Sequence, residues 1–207
     1  MKFSSIFIPA ILATFVTASS NVHNHNRRDG NDVAAAIRTI ASKVVQFKNA
    51  VQDLKPEASG TTPEPVKLQA TQAQIVIAER KAVELAKTSE PFNDQEATKI
   101  LDAQRDLVPK IKAMLDALAE KRRAFEGPAS DISPEQMRET LKKQKEELTS
   151  LGTSIVSKLP EQRAAEGMAI NQQLTERFDK TIRRFILIQT LPAEVLGWLA
   201  GKPPTGS

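Results

Sequence analysis

With 207 residues, no cysteine, no tyrosine and two histidines, the chain lacks disulfide staples and most side chains that serve as nucleophile, metal ligand or neutral-pH proton carrier. Its 29 Lys and Arg against 25 Asp and Glu give +4, yet Lys2, Arg27 and Arg28 precede the first helical pattern, and without them the balance is 26 against 25. The charges are interspersed, as in Glu79-Arg80-Lys81 and Lys142-Lys143-Gln144-Lys145-Glu146-Glu147, and no aromatic interleaves a basic run, so they read as solvated helix faces and exclude a nucleic-acid surface.

The first 18 residues read as a secretion signal: Lys2 is the positive n-region, Ile6 to Val16 the apolar run, and Val16-Thr17-Ala18 a small-residue cleavage site after Ala18. About eleven apolar-rich residues cannot cross a hydrocarbon core that needs about 20, so no transmembrane anchor is expected. Residues 19–28 form a polar pro-segment that holds both histidines, His23 and His25, and ends in the dibasic pair Arg27-Arg28. The secreted chain is therefore expected to begin at Ser19 or Asp29.

Residues 29–189 carry helical periodicity, with proline and glycine mostly between the periodic stretches and no strand-like alternation. The first helix is capped by Asn31 or Asp32 and places Val33, Ile37, Ile40, Val44, Phe47, Val51 and Leu54 on one stripe until Lys55-Pro56 stops it. Ala58 to Pro65 reads as a loop and a candidate O-glycosylation segment. The second helix has the seam Leu68, Thr71, Ile75, Ala78, Ala82 and Leu85, whose small members admit a close neighbour or leave space for a guest.

Asn93 caps the third helix, with Glu96 completing a capping box. Its seam runs Ala97, Leu101, Gln104, Val108, Ile111, Leu115, Leu118 and Phe125, in phase across Pro109, which predicts a kink rather than an end. After a loop at 126–132, Ser133-Pro134-Glu135-Gln136 starts the fourth helix, which buries Met137, Leu141, Leu148, Leu151, Ile155 and Leu159. The fifth carries Ala164, Met168, Leu174, Phe178, Ile182 and Phe185 on its inner face.

The expected fold is therefore all-α: an up-and-down bundle of four to five long amphipathic helices plus a short apolar C-terminal helix. Ile75, Ile111, Leu115, Leu148, Phe178 and Phe185 are the candidate lining for an apolar ligand or surface. Gln104, Gln144 and Asn171 interrupt the apolar seams, either to fix register or to hydrogen-bond the head group of an apolar guest. Residues 190–207 hold Leu191, Val195, Trp198 and Leu199 and then a polar tail. That segment either docks on the bundle or forms an exposed wedge with Trp198 at its tip.

The export signal, the dibasic edge, the stripe from Val33 onward, Ile100-Leu101-Asp102-Ala103 with Leu107-Val108, Lys121 to Phe125 and Phe178-x-x-x-Ile182 together resemble the fungal hydrophobic surface-binding protein A family, which overlaps with cell-wall galactomannoproteins. The resemblance spans residues 33–185. It implies an exported helical protein that adsorbs to hydrophobic surfaces and helps secreted lytic enzymes reach them, or one that holds lipid. Wall-attached members carry Ser/Thr-rich tails and an apolar anchor signal, whereas this chain ends in Gly201-Lys202-Pro203-Pro204-Thr205-Gly206-Ser207, so lipid anchoring is not expected.

Adsorption and lipid carriage are both energetically open. A bundle stable by roughly 5–15 kcal/mol could open onto a surface that reburies its seam at ~25 cal/mol per Å². A sixteen-carbon chain would contribute about 12 kcal/mol gross at ~0.8 per methylene. Catalysis is not expected: the carboxylates Asp102 and Asp106 share a helical face, but such pairs are ordinary solvated surface, and no cofactor motif is present.

Overall fold

The structure, a computed structural model, describes residues 29–54, 63–125 and 133–186. The expected signal, the dibasic pair and the C-terminal apolar segment with Trp198 lie outside them. The described residues form helices α1 (Gly30–Asp53), α2 (Pro63–Thr88), α3 (Asp94–Glu120), α4 (Pro134–Val156) and α5 (Glu161–Ile186), with a 3-10 turn at Arg122–Phe125 after α3.

Local chemistry sets most of these boundaries. Asn93 and Glu96 form the expected capping box at α3, as do Ser133 and Gln136 at α4, where Pro134 opens the first turn. The cap of α1 is Asp29, not Asn31 or Asp32: its carboxylate accepts from the Asn31 and Asp32 amides. A tertiary contact explains the earlier start. Gly30 lies against α3, its amide donates to Glu96 Oε1 at 3.2 Å, and a Cβ there would come within 2.6 Å of Glu96 Cβ. Helix α2 also begins early, at Pro63 inside the expected loop, because prolines in a first turn forfeit amides that have no helical acceptor. Pro109 does not end α3; its exposed ring frees the Arg105 carbonyl on the solvent side.

The helices alternate in direction. Lys67–Asp53 and Lys43–Gln74 pair α2 antiparallel to α1, whereas Lys99–Asn31 and Lys121 to the Leu54 carbonyl pair α3 parallel to α1. Lys145–Asp179 with the Gly152–Asn171 contact sets α5 antiparallel to α4, and Gln72–Thr140 with Arg80–Glu147 sets α4 parallel to α2. Packing contacts join α1 to α2 and α3, α5 to α3 and α4, and α2 to α4. The result is an up-and-down bundle in two layers, a row α1–α3–α5 facing a row α2–α4.

The apolar stripes turn inward as expected, and every named member of the α1 stripe is buried. Val108 and Ala164 are half-buried at the edges of their stripes, and two assignments change outright. On α5, Met168 is 55% exposed, and Gly167 takes the inner position instead. A Cβ at Gly167 would sit 2.8 Å from Leu159 Cδ1 and 3.0 Å from Val156 Cγ2, so close approach of α5 to the end of α4 requires the residue without a side chain. On α2, Glu79 is only 1% exposed, although its charge and its neighbours Arg80 and Lys81 mark it as solvated. The inner face is thus rotated to include Glu79, Val83 and Ala86, leaving Thr71 and Leu85 half-buried at its edge.

Candidate functional site

The predicted lining residues meet in the packed interior between the two rows. Ile75 from α2, Ile111 and Leu115 from α3, Leu148 from α4, and Phe178 and Phe185 from α5 are all buried in one apolar cluster. Phe185 closes one end against Phe125, with ring centroids 6.3 Å apart and planes tilted by 58°. That geometry suits an edge-inclined aromatic pair.

Gln104 and Gln144 are buried within this seam, and neither pairs with the other. Gln104 Oε1 and both amide atoms of Gln144 have no hydrogen-bond partner in the protein. Asn171 is separate: half-buried, it packs over Gly152 at the α4–α5 contact, where a Cβ would lie 2.5 Å from Asn171 Cγ. Gly152 is eight residues, or about 12 Å, from Gln144 along α4, so Asn171 serves helix approach rather than the central seam. Trp198 lies outside the described residues.

Glu79 is the polar group that sequence reasoning missed. Its Oε2 also lacks a partner, and burial, with the Glu147 carboxylate adding to it, raises its pKa well above the ordinary 4.5. The signal was present in the spacing: Leu68, Gln72, Ile75, Glu79, Ala82 and Ala86 follow a three- and four-residue rhythm into which a charged residue fits by position but not by type.

The exterior is different in character. Among the described residues, the large apolar side chains left exposed are Ile77 and Met168, on different helices. A groove of about 730 Å³ follows α4 and is lined by Lys87 of α2, by Lys142, Lys145, Thr149 and Thr153 of α4, and by Asp179 and Ile182 of α5. Lys145 and Asp179 pair there at 2.6 Å. Its lining is mostly lysine stems and hydroxyls. Exposed ion pairs such as Arg105–Asp102 and Lys142–Glu139 are screened by water and add little to stability. No described helix is long and apolar enough to cross a membrane, and no described cluster of His, Cys, Asp or Glu could hold a metal ion.

Solved structures share this architecture. A structure of Afmp4p in complex with palmitic acid aligns with a TM-score of 0.69 at 16% identity, covering 76% of this chain and 99% of that one. Ligand binding domain 1 of the Penicillium marneffei MP1 protein, complexed with arachidonic acids, aligns at 0.64 and 20% identity, covering 75% and 98%. Domain 2 of the same protein, complexed with multiple arachidonic acids, aligns at 0.63 and 18% identity, covering 77% and 97%. At these identities the likeness establishes a shared helical fold. No curated protein sequence matches the chain. Residues 30–157, well over half of the 207, match the family described as hydrophobic surface binding protein A, and the chain belongs to that family.

Proposed function

We propose that this is a secreted, non-catalytic protein that binds apolar matter by taking a fatty-acyl chain between its α1–α3–α5 and α2–α4 rows. The observation that carries the reading is the contrast between inside and outside. The described exterior offers only isolated apolar side chains, whereas the seam is continuous and contains polar atoms without protein partners. Buried polar groups are nearly always satisfied, so such atoms mark where a partner of another kind would sit. Palmitic and arachidonic acids held by proteins of the same fold support this choice of guest.

Adsorption to a hydrophobic solid is the second reading, and family membership favours it. The same separation of rows that admits an acyl chain would turn the seam onto a surface. The expected C-terminal wedge with Trp198, and the delivery of secreted hydrolases to such a surface, belong to this reading and rest on the sequence and the resemblance. Release at Ser19 or Asp29 fits both readings. A chain beginning at Asp29 keeps the α1 cap, whose carboxylate is held below its usual pKa range by hydrogen bonds from the Asn31 side chain and the Asn31 and Asp32 amides.

Ligand-linked stability tests acyl binding. Palmitate at about a hundred times its dissociation constant should stabilise the delipidated protein by about 2.7 kcal/mol, a rise in Tm of roughly 5–10 °C. No rise with palmitate or any longer fatty acid would refute interior binding.

A further inference from the structure

Four atoms in the seam are buried without a protein partner: Glu79 Oε2, Gln104 Oε1, and Oε1 and Nε2 of Gln144. Their side chains are 1%, 4% and 2% exposed. The cross-helix contacts put them within about 8 Å of one another along the bundle axis. Gln72–Thr140 and Arg80–Glu147 set Glu79 level with Glu147, so Gln144 lies about 4.5 Å along the bundle, three residues away. Lys99–Asn31 aligns α3 with α1, and Lys43–Gln74 aligns α1 with α2, which brings Gln104 level with Lys81, about 3 Å from Glu79 on the side away from Gln144. The three side chains come from three helices and form a polar belt across an apolar interior.

We propose that Glu79, flanked by Gln144 and Gln104, holds the carboxyl head group of a fatty acid whose tail lies along the seam toward Ile111 and Phe185. This rests on the acyl-binding reading above and adds its polar end. The chemistry matches atom by atom. Toward a carboxylate, protonated Glu79 donates its O–H and Gln144 Nε2 an N–H to the two oxygens; toward an un-ionised acid, Gln104 Oε1 in addition accepts the acid's O–H. Burial raises the pKa of Glu79 well above its ordinary value, which favours the protonated form, and Glu147 adds to that. An ester or an alkane cannot use the belt as fully, because neither donates a proton.

The belt also makes head-group binding sensitive to pH. The charged groups that reach α2 from its packing neighbours are Glu147 of α4, paired with Arg80, and Lys43 and Asp53 of α1, bonded to Gln74 and Lys67. Asp32 of α1 lines an outer groove with Lys81, and Lys142, Lys145 and Glu146 of α4 line another with Lys87. None of these supplies a cation to the buried carboxyl in the way that Arg80 meets Glu147. Ionised Glu79 would repel a fatty-acid carboxylate, so affinity should fall by about tenfold per pH unit once Glu79 loses its proton.

Calorimetric titration of the delipidated protein with palmitate and with methyl palmitate tests this. The wild type should prefer palmitate by about tenfold or more. Glu79→Leu should erase the preference while still binding the ester. Glu79→Gln, which keeps a donor that does not titrate, should bind palmitate without the loss at high pH. Circular dichroism of each variant confirms that it is folded. Binding of both ligands with the palmitate preference intact in Glu79→Leu would overturn the head-group assignment and leave acyl binding standing. Binding of neither ligand by the wild type would overturn both.

Discussion

Replacing Phe178 by alanine is expected to destabilise the bundle by about 3–5 kcal/mol, a large share of the roughly 5–15 kcal/mol typical of a domain. The ring is 1% exposed and sits on α5 with Ile182 and Phe185, facing the apolar seam. Its removal opens a cavity that the neighbours cannot easily fill. Helix α5 is fixed between two partners, with Glu166 bonded to Arg105 of α3 and Asp179 to Lys145 of α4. Urea denaturation followed by far-ultraviolet circular dichroism reads the effect directly. A change below about 0.5 kcal/mol, the range of a surface substitution, would place the ring outside and refute the inner face assigned to α5.

The second large effect runs the other way. Glu79→Leu should stabilise the free protein at pH 8 by about 1–3 kcal/mol, because it removes a buried carboxyl with an unpartnered oxygen and extends the apolar seam. The pH dependence follows from the direction of the shift. In the unfolded chain Glu79 ionises near its ordinary 4.5, whereas in the fold burial and Glu147 hold it neutral to a higher pH. Wild-type stability from this group is therefore complete below 4.5 and is lost as pH rises through the raised value. The advantage of the leucine variant should be smaller at pH 4 than at pH 8. Paired urea titrations check both claims, and a leucine variant less stable than wild type at pH 8 would show that the carboxyl is satisfied in the fold. The native chain would thus give up stability at a position where an acidic ligand is held, the trade expected of a binding site.

Much of the fold was legible because its signals are local. Asn93 with Glu96 and Ser133 with Gln136 start helices through contacts within one turn, and the α1 stripe from Val33 to Leu54 needs only its own periodicity. What escaped depends on distant partners. Asp29, Asn31 and Asp32 are all competent caps, and the contact of Gly30 with Glu96 decides among them. Methionine scores as core and glycine does not, yet the turn around Val156 and Leu159 leaves room only for Gly167, so Met168 faces solvent.

The same holds for the candidate site. Gln104 and Gln144 stood out as polar interruptions of apolar seams, and both lie inside with unpartnered atoms. Asn171 carried the same signal, but its seam is the α4–α5 contact over Gly152. Glu79 was hidden by its type: a carboxylate beside Arg80 and Lys81 reads as a surface ion pair, and only the packing of α2 against its neighbours takes it out of water. The layer order, with α2 beside α4 and α3 between α1 and α5, has no local signal at all.

The central claim is that the seam between the rows holds a fatty acid. Its most direct test is mass spectrometry of the secreted protein, recorded intact under native conditions and again after extraction into organic solvent. The account predicts an added mass matching one or more long-chain fatty acids in whole-number ratio to protein, released by extraction and restored by incubation with palmitate. A native mass equal to that of the polypeptide, unchanged after incubation with palmitate, would contradict it.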